Sequence, residues 1–237
     1  MLGLGNTVVS DFKTVYRDNY SLQFDGADQS VNIDSLVGSI DVSQGSISLW
    51  AKIETTSSTG TIFRTQVDSN NFISLLYHAG SNNTRAGYKG GGSIVQCSSD
   101  SEIEGDGAWH HIVATWSVAN KQLKLYLDGS LIQTKPNSGS LPTLAGDLDS
   151  ASIAQNAQGG SFFKGKVNDV AVFNETIALA TVVQIYNSGK PNDISGLAGL
   201  IAYYKFENAR GSVASETANV ALDGTLVNTP TWSTDTP

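Results

Sequence analysis

Residues Asp106 to Gly129 read DGAWHHIVATWSVANKQLKLYLDG, and this stretch decides the fold class. Apolar residues alternate with other residues on both sides of the VANKQ segment, the pattern of strands whose successive side chains emerge on opposite faces. An Asp-Gly pair, a typical turn sequence, follows the second run. The stretch therefore predicts a β-hairpin in an antiparallel sheet.

The two predicted strands differ in how their faces are filled. Neither face of the first strand is wholly polar, so we expect this strand to lie inside its sheet. On the second strand Leu123, Leu125 and Leu127 share one face, while Lys124 and Tyr126 lie on the other. This alternation predicts one side against a core and one side against solvent or a ligand.

The Trp-His-His strand that leads to a Tyr-x-Asp-Gly hairpin resembles the signature of the concanavalin A-like, laminin G-like jelly-roll domains. Three more segments resemble the same family: Ser21–Gly26, Gly45–Ile53 and Phe163–Asn174. The resemblance implies an all-β fold, an antiparallel jelly-roll β-sandwich with one short helix. Domains similar to this one bind sugars or proteins, trim glycans or build surfaces, so the fold alone does not define a function.

The order of the segments predicts three parts of the chain. Residues 1–19 form an N-terminal arm, packed on its own domain or docked on a neighbouring subunit, and both alternatives stay open. Residues 20–190 form the laminin G-like sandwich, and residues 191–237 add C-terminal strands that complete it. These last segments resemble pieces that usually open laminin G-like domains.

Local signals place further elements inside the sandwich. Thr61–Gln66 and Asn71–His78 are predicted to form a second hairpin, and Leu131–Asp149 a surface loop. A helix is expected between Asn174 and Gly189, with Asn174 as its cap. Its apolar face is predicted to consist of Leu179, Val182, Val183 and Tyr186.

Composition excludes several classes of protein. The 237 residues carry a formal net charge of −8, which argues against binding to a phosphate backbone, so no nucleic-acid partner is expected. No segment has the apolar length of a membrane span, so no membrane insertion is expected. The single cysteine, Cys97, cannot form an intrachain disulfide; a buried thiol is expected, and a nucleophile is the alternative.

No catalytic pattern is present, so we expect a protein that is not an enzyme. Glycan cleavage needs two opposed carboxylates, and the nearest approach, Glu102, Glu104 and Asp106, lies in a glycine-containing turn. The histidines His110 and His111 match a structural pair of the resembled family, and no nucleophile motif accompanies any histidine.

No cofactor is predicted, with calcium as the one candidate ion. Carboxylates in loops supply the hard oxygen ligands that calcium prefers, and four aspartates lie in such loops. These are Asp25, Asp28, Asp147 and Asp149. The alternative is that they stabilise tight turns, as Asp commonly does.

Three aromatic residues are the candidates for carbohydrate binding, because aromatic faces stack on sugar rings while their polar ends stay hydrated. They are Trp50, Tyr88 and Tyr126. Trp50 and Tyr126 lie on the more polar face of their strands. The alternative is that a second layer of the protein covers them.

Two functions follow from these observations. The first is a structural or adhesive β-sandwich protein of a tailed-phage virion, as a capsid decoration or a tail-fibre and host-contact part. The chain start and the DGTLVN to DTP ending resemble laminin G-like proteins of phages of aquatic bacteria. The alternative is a free lectin-like module that binds carbohydrate, with or without calcium.

Partners and location follow from each function. A virion component would bind other virion proteins or copies of itself and, at host contact, a cell-surface glycan. Because the chain opens without a secretory signal pattern, we expect assembly in the host cytoplasm and residence in the virion. The lectin-like alternative would act outside the cell.

Overall fold

The computed structural model describes residues 16–217 and 220–237. In these residues nearly every regular element is a β-strand, and the strands form two antiparallel sheets packed face to face. One short α-helix is added to them. The predicted all-β sandwich with one short helix is confirmed. The predicted N-terminal arm falls largely on residues 1–15, outside the described residues.

Sheet A runs in the order β10-β9-β8-β3-β12-β1-β16, and β13 pairs with the second half of β12. Its strands are β1 (Ser21–Asp25), β3 (Gln44–Ile53), β8 (His110–Ser117), β9 (Gln122–Leu127), β10 (Ser130–Lys135), β12 (Lys164–Phe173), β13 (Leu200–Tyr204) and β16 (Thr231–Ser233).

Sheet B runs in the order β14-β15-β2-β11-β4-β5-β6-β7. Its strands are β2 (Ser30–Asn32), β4 (Gly60–Asp68), β5 (Asn71–His78), β6 (Asn83–Gly90), β7 (Ser93–Ser98), β11 (Ser150–Ile153), β14 (Val213–Ala214) and β15 (Gly224–Val227).

The opening sequence stretch forms the hairpin β8–β9, with Trp116 opposite Leu123 and Ile112 opposite Leu127. Strand β8 also pairs with β3, so it lies inside sheet A as predicted. Leu123, Leu125 and Leu127 are buried in the main core between the sheets. The predicted hairpin β4–β5 is present as well.

Trp116 lies in the core against Gly45, where any side chain would clash with the indole ring. A Cβ atom on Gly45 would lie 2.3 Å from Cζ2 of the indole, far inside van der Waals contact. The indole nitrogen donates to the carbonyl oxygen of Asp41 at 3.1 Å, so the buried ring leaves no polar atom unpaired.

The helix α1 (Leu179–Tyr186) is shorter than predicted, and Asn174 does not cap it. The Ser46 hydroxyl donates to the carbonyl of Glu175 and accepts from the backbone N–H of Ile177. These bonds hold the segment against β3, so the helix begins only at residue 179.

The apolar face of α1 also differs from the prediction. Val182 and Ile185 are buried against sheet A, whereas Leu179 and Val183 are about half exposed. Left-handed backbone at Asn187, with φ of 45°, ends the helix before the predicted Gly189.

Two loop and tail segments extend the sheets. The predicted surface loop at Leu131–Asp149 begins as strand β10, and Leu141 and Leu144 are buried in the core. After the helix, β13 and β16 join sheet A while β14 and β15 join sheet B. Among the described residues, no helix has the length and apolar character that crossing a bilayer needs.

Candidate functional site

The two outer faces of the sandwich are built differently. On sheet A, α1 and the segment after it form a second hydrophobic cluster with outward residues of the strands, among them Val113, Tyr126 and Phe173. We call this surface the covered face. The only α-helix of the described chain is used there, so the outer surface of sheet B carries no helix and is called the open face.

Strand register brings one line of residues straight across the open face. Arg64 on β4 lies opposite Ser74, which lies opposite Gly87, which lies opposite Gln96. In the other direction Arg64 lies opposite Ser152, followed by Asn32 and Thr225. We call these seven residues the polar row: Thr225, Asn32, Ser152, Arg64, Ser74, Gly87 and Gln96.

The alternation of β5 shows that the polar row points away from the core. Ile73, Leu75 and Tyr77 are fully buried between the sheets. Phe72 and Ser74 occupy the alternate positions, so their side chains emerge on the open face. The ring of Phe72 therefore stands next to the polar row, outside the main core.

Arg64 is the central side chain of this surface. Its guanidinium carbon lies 3.7 Å from the centre of the Phe72 ring, a cation–π arrangement. Its Nε donates to Oε1 of Gln66 at 2.6 Å. Partial burial lowers the pKa of Arg64 to about 10, which still leaves the group charged at neutral pH.

Two more cations of the open face lie on β6. Lys89 Nζ is 5.5 Å from the centre of the Phe72 ring and donates to the carbonyl of Ser69. Arg85 donates to the side chains of Asn83 and Ser81. Within the described chain, none of these three cations has a carboxylate within 4.0 Å.

A glycine lets neighbouring groups pack closely at the centre of the open face. A Cβ on Gly87 would lie 3.1 Å from Ser74 Oγ and 3.6 Å from Ile94 Cδ1, so this buried position is already closely surrounded. Ser74 is 2% exposed, and its hydroxyl has no hydrogen-bond partner among the described residues. The floor of the surface thus holds a polar atom whose hydrogen-bonding capacity is unused.

The cations of sheet A are arranged differently. Lys52 and Lys166 lie opposite each other on neighbouring strands, and their Nζ atoms are 3.0 and 2.7 Å from one oxygen of Asp235. Trp109 Nε1 donates to the other oxygen of this carboxylate. These bonds lower the pKa of Asp235 to about 2, against a burial effect that acts the other way.

The aromatic residues predicted to stack on sugar are all buried, so they present no exposed ring. Trp50 and Tyr126 are 2% exposed, and Tyr88 points into the main core, where its hydroxyl donates to the carbonyl of Val42. Tyr186 of α1 stacks on Trp50 with 5.9 Å between ring centres. The alternative of a second protein layer is what the structure shows for Trp50 and Tyr126.

Beside Trp50, His111 is fully buried and its ring centre lies 5.1 Å from that of the indole. Its Nε2 is 2.8 Å from the hydroxyl of Ser48. Burial lowers the pKa of His111 to about 3, so the ring is neutral at physiological pH. This histidine is a packing residue of the covered face.

The four aspartates predicted for calcium do not form a cluster. Asp25 ends β1 in sheet A and accepts from the backbone N–H of Ala27, while Asp149 precedes β11 in sheet B and accepts from the Ser150 hydroxyl. Asp28 and Asp147 lie in the loops near them. In the described ranges, no group of three or more His, Cys, Asp or Glu side chains could hold a metal ion.

The other candidate reactive groups are held in local structure. Glu104 accepts from the backbone N–H of Thr56 and from the Tyr77 hydroxyl, and Asp106 is paired with His110. Cys97 is buried and donates to the carbonyl of Leu123, and burial raises the pKa of its thiol to about 11. The expected buried thiol is confirmed.

The alternation of residues in the sequence already indicates that one aromatic ring lies on the open face. In Asn71–His78, Phe72 alternates with Ile73, Leu75 and Tyr77, which places it on the opposite side of the strand. Arg64 lies on the neighbouring strand of the same predicted hairpin. Only the register showed that these two residues meet.

The chain shares its family and its fold with known proteins. Residues 25–183 match the model of a family in the concanavalin A-like lectin/glucanases superfamily. No protein of curated function matches the sequence.

Three solved structures have a similar fold. The first is a carbohydrate-binding module of a Ruminococcus gnavus sialidase bound to α2,3-sialyllactose, at TM-score 0.60 and 11% identity, covering 70% of this chain and 96% of that one. Domain 4 of an extracellular arabinanase from Geobacillus stearothermophilus, in complex with arabinotriose, has TM-score 0.57 and 21% identity, with 70% and 76% covered.

The third is a heptameric SAP-like pentraxin from Limulus polyphemus, at TM-score 0.55 and 20% identity, covering 71% of this chain and 82% of that one. At these identities the likeness shows a shared fold. Because the family model matches more than half of the residues, the chain belongs to the concanavalin A-like lectin/glucanase superfamily.

Proposed function

We propose that this protein binds carbohydrate, without chemical turnover, on the open face of sheet B. The polar row is the observation that carries this proposal, because it lines up the exposed or partly exposed side chains of Thr225, Asn32, Arg64 and Gln96 across one sheet. Sugar hydroxyls need such donors and acceptors at fixed spacing, and strands fix side chains more precisely than loops do.

The order of the central cation supports a ligand at this position. The Arg64 guanidinium is held in place by Phe72 and Gln66. A side chain that is already ordered loses less entropy when a ligand binds. The proteins of similar fold that bind sialyllactose and arabinotriose also support a glycan ligand.

The test compares two variants, one that replaces Arg64 and one that replaces an arginine away from the open face. Arg17 is exposed, and the preceding Tyr16 hydrogen-bonds to Asp169 and Tyr203 of sheet A, so R17Q changes the net charge equally without touching the open face. We expect the wild type and R17Q to bind the same glycans on an array. R64Q should lose about tenfold or more in affinity.

Thermal melting of each variant separates a binding defect from a folding defect. The proposal is overturned if the folded wild type binds no glycan, or if R64Q binds as the wild type does. The virion role and its partners have no specific observation in their favour, and remain predictions from the sequence resemblance. An extracellular location would suit the proposed function.

A further inference from the structure

We infer that the open face selects glycans that carry a carboxylate, such as those with uronic or sialic acid units. This inference rests on the proposed function, because it concerns the same surface. It names the substrate class of that surface and the residue that would recognise it, Arg64.

The charge distribution is the first step of the argument. The chain has 22 acidic and 14 basic side chains, so acidic groups are abundant enough to pair with most cations. On sheet A such pairing is found, since Lys52 and Lys166 share Asp235. On the open face Arg64 and Lys89 both lie at Phe72, and neither has a carboxylate within 4.0 Å in the described chain. Lys89 interacts with Asp68 only over a longer distance.

An unpaired, partly buried cation is unfavourable unless something else compensates for its lost hydration. The Phe72 ring offsets part of this cost for Arg64, and Gln66 uses one of its hydrogen-bond donors. A carboxylate from outside would supply the missing charge. A cation without a paired carboxylate also attracts anions over a distance of several ångströms.

The geometry of Arg64 fits a carboxylate. Nε is the atom that Gln66 engages, and in the described chain no hydrogen bond is formed by the two Nη atoms. Two parallel N–H groups can bind both oxygens of one carboxylate, which gives orientation as well as affinity. Lys89 stands on the far side of the same aromatic ring, as a second charge for the same ligand.

The positions beyond Arg64 on the polar row carry no charge. Ser74, Gly87 and Gln96 follow Arg64 on the next three strands. A ligand whose carboxylate bound Arg64 would therefore extend its uncharged ring along the polar row.

The test uses an array on which each acidic glycan stands beside its neutral counterpart, with the carboxyl group methyl-esterified or reduced. Sulfated glycans form a third set. We expect the wild type and R17Q to bind the carboxylate members about tenfold or more tighter than their neutral counterparts. R64Q and K89Q should bring this ratio toward one, and raised salt should lower it.

The outcomes distinguish the two proposals. Equal binding of acidic and neutral members, still lost in R64Q, would overturn the selectivity and leave the proposed function intact. Preference for sulfated glycans alone would overturn the carboxylate assignment. Binding of no glycan would overturn both, and acidic selectivity that survives R64Q would move the site away from this face. The control K124Q removes a lysine from β9 on sheet A and should keep the wild-type ratio.

Discussion

The two outer faces of this sandwich arise from the same alternation of side chains along the strands, but one is covered by a helix and the other is not. On the covered face the outward residues are aromatic and apolar, and α1 buries them with Val182 and Ile185. On the open face most outward residues are polar or cationic, and Phe72 and Ile94 are the apolar exceptions named here. The comparison shows that an outward aromatic residue packs against its neighbours on both faces, against α1 at Trp50 and against a cation at Phe72.

The largest effect should come from removing one aromatic ring from each face. W50A removes a buried indole that contacts His111 and Tyr186, so we expect a loss of about 3–5 kcal/mol in the free energy of unfolding. F72A removes a ring outside the main core and should cost about 1–3 kcal/mol. Denaturant unfolding of both variants measures the two losses.

Glycan binding completes this comparison. Folded W50A should bind as the wild type does, because its ring is sealed under α1. F72A should bind more weakly, since Arg64 loses the ring that holds it. If W50A lost binding while folded and F72A kept it, the assignment of the two faces would be reversed.

Much of the sandwich could be predicted because its information is local. The alternation in β8 and β9 and the turn after them fixed a hairpin, and the resemblance supplied the order of the strands. The helix is shorter than predicted because the bonds from Ser46 to the segment before it join positions far apart in sequence. No local cap signal can reveal such long-range bonds.

The site was harder to predict because it depends on which strands are neighbours. Tyr88 is predicted from its aromatic ring to bind carbohydrate, yet it lies with Cys97 on the inward side of β6 and β7. Trp50 and Tyr126 do lie on the outward side of their strands, but the layer that covers them comes from residues beyond 176. The contact between Arg64 and Phe72 could be seen only once the register of β4 and β5 was known.

The second expected effect is on the pH dependence of the free energy of unfolding, which should differ between a titrating group beside the covered face and Arg64 on the open face. Beside the covered face, Asp169 accepts hydrogen bonds from Tyr16 and Tyr203, and burial raises its pKa to about 7. Between its ordinary pKa near 4 and this value, the folded state holds a proton that the unfolded state has lost. This contribution to stability is therefore full at low pH and is lost as pH rises toward 7.

D169N removes this titration and keeps the shape of the side chain. Relative to the wild type, we expect it to gain up to about 1.4 kcal/mol per pH unit between pH 4 and 7, and to gain no more above pH 7. R64Q on the open face is the control, since Arg64 with a pKa of about 10 stays charged over this range. If the free energies of unfolding of D169N and the wild type ran parallel between pH 4 and 7, Asp169 would be ionised in the folded protein over this range.

The smallest effect compares a paired lysine on sheet A with the unpaired lysine of the open face. K166Q breaks the 2.7 Å contact with Asp235 and should cost about 0.2–1 kcal/mol, because this pair is partly exposed. K89Q removes a cation that has no carboxylate partner within 4.0 Å in the described chain, so its cost should stay within about 0.5 kcal/mol. Raising the salt concentration should shrink the K166Q loss in the free energy of unfolding and change the K89Q loss less, because Lys89 interacts with Asp68 only over a longer distance. Equal losses with equal salt dependence would mean that Lys89 is paired in solution, and the charge on the open face would then not be free for a ligand.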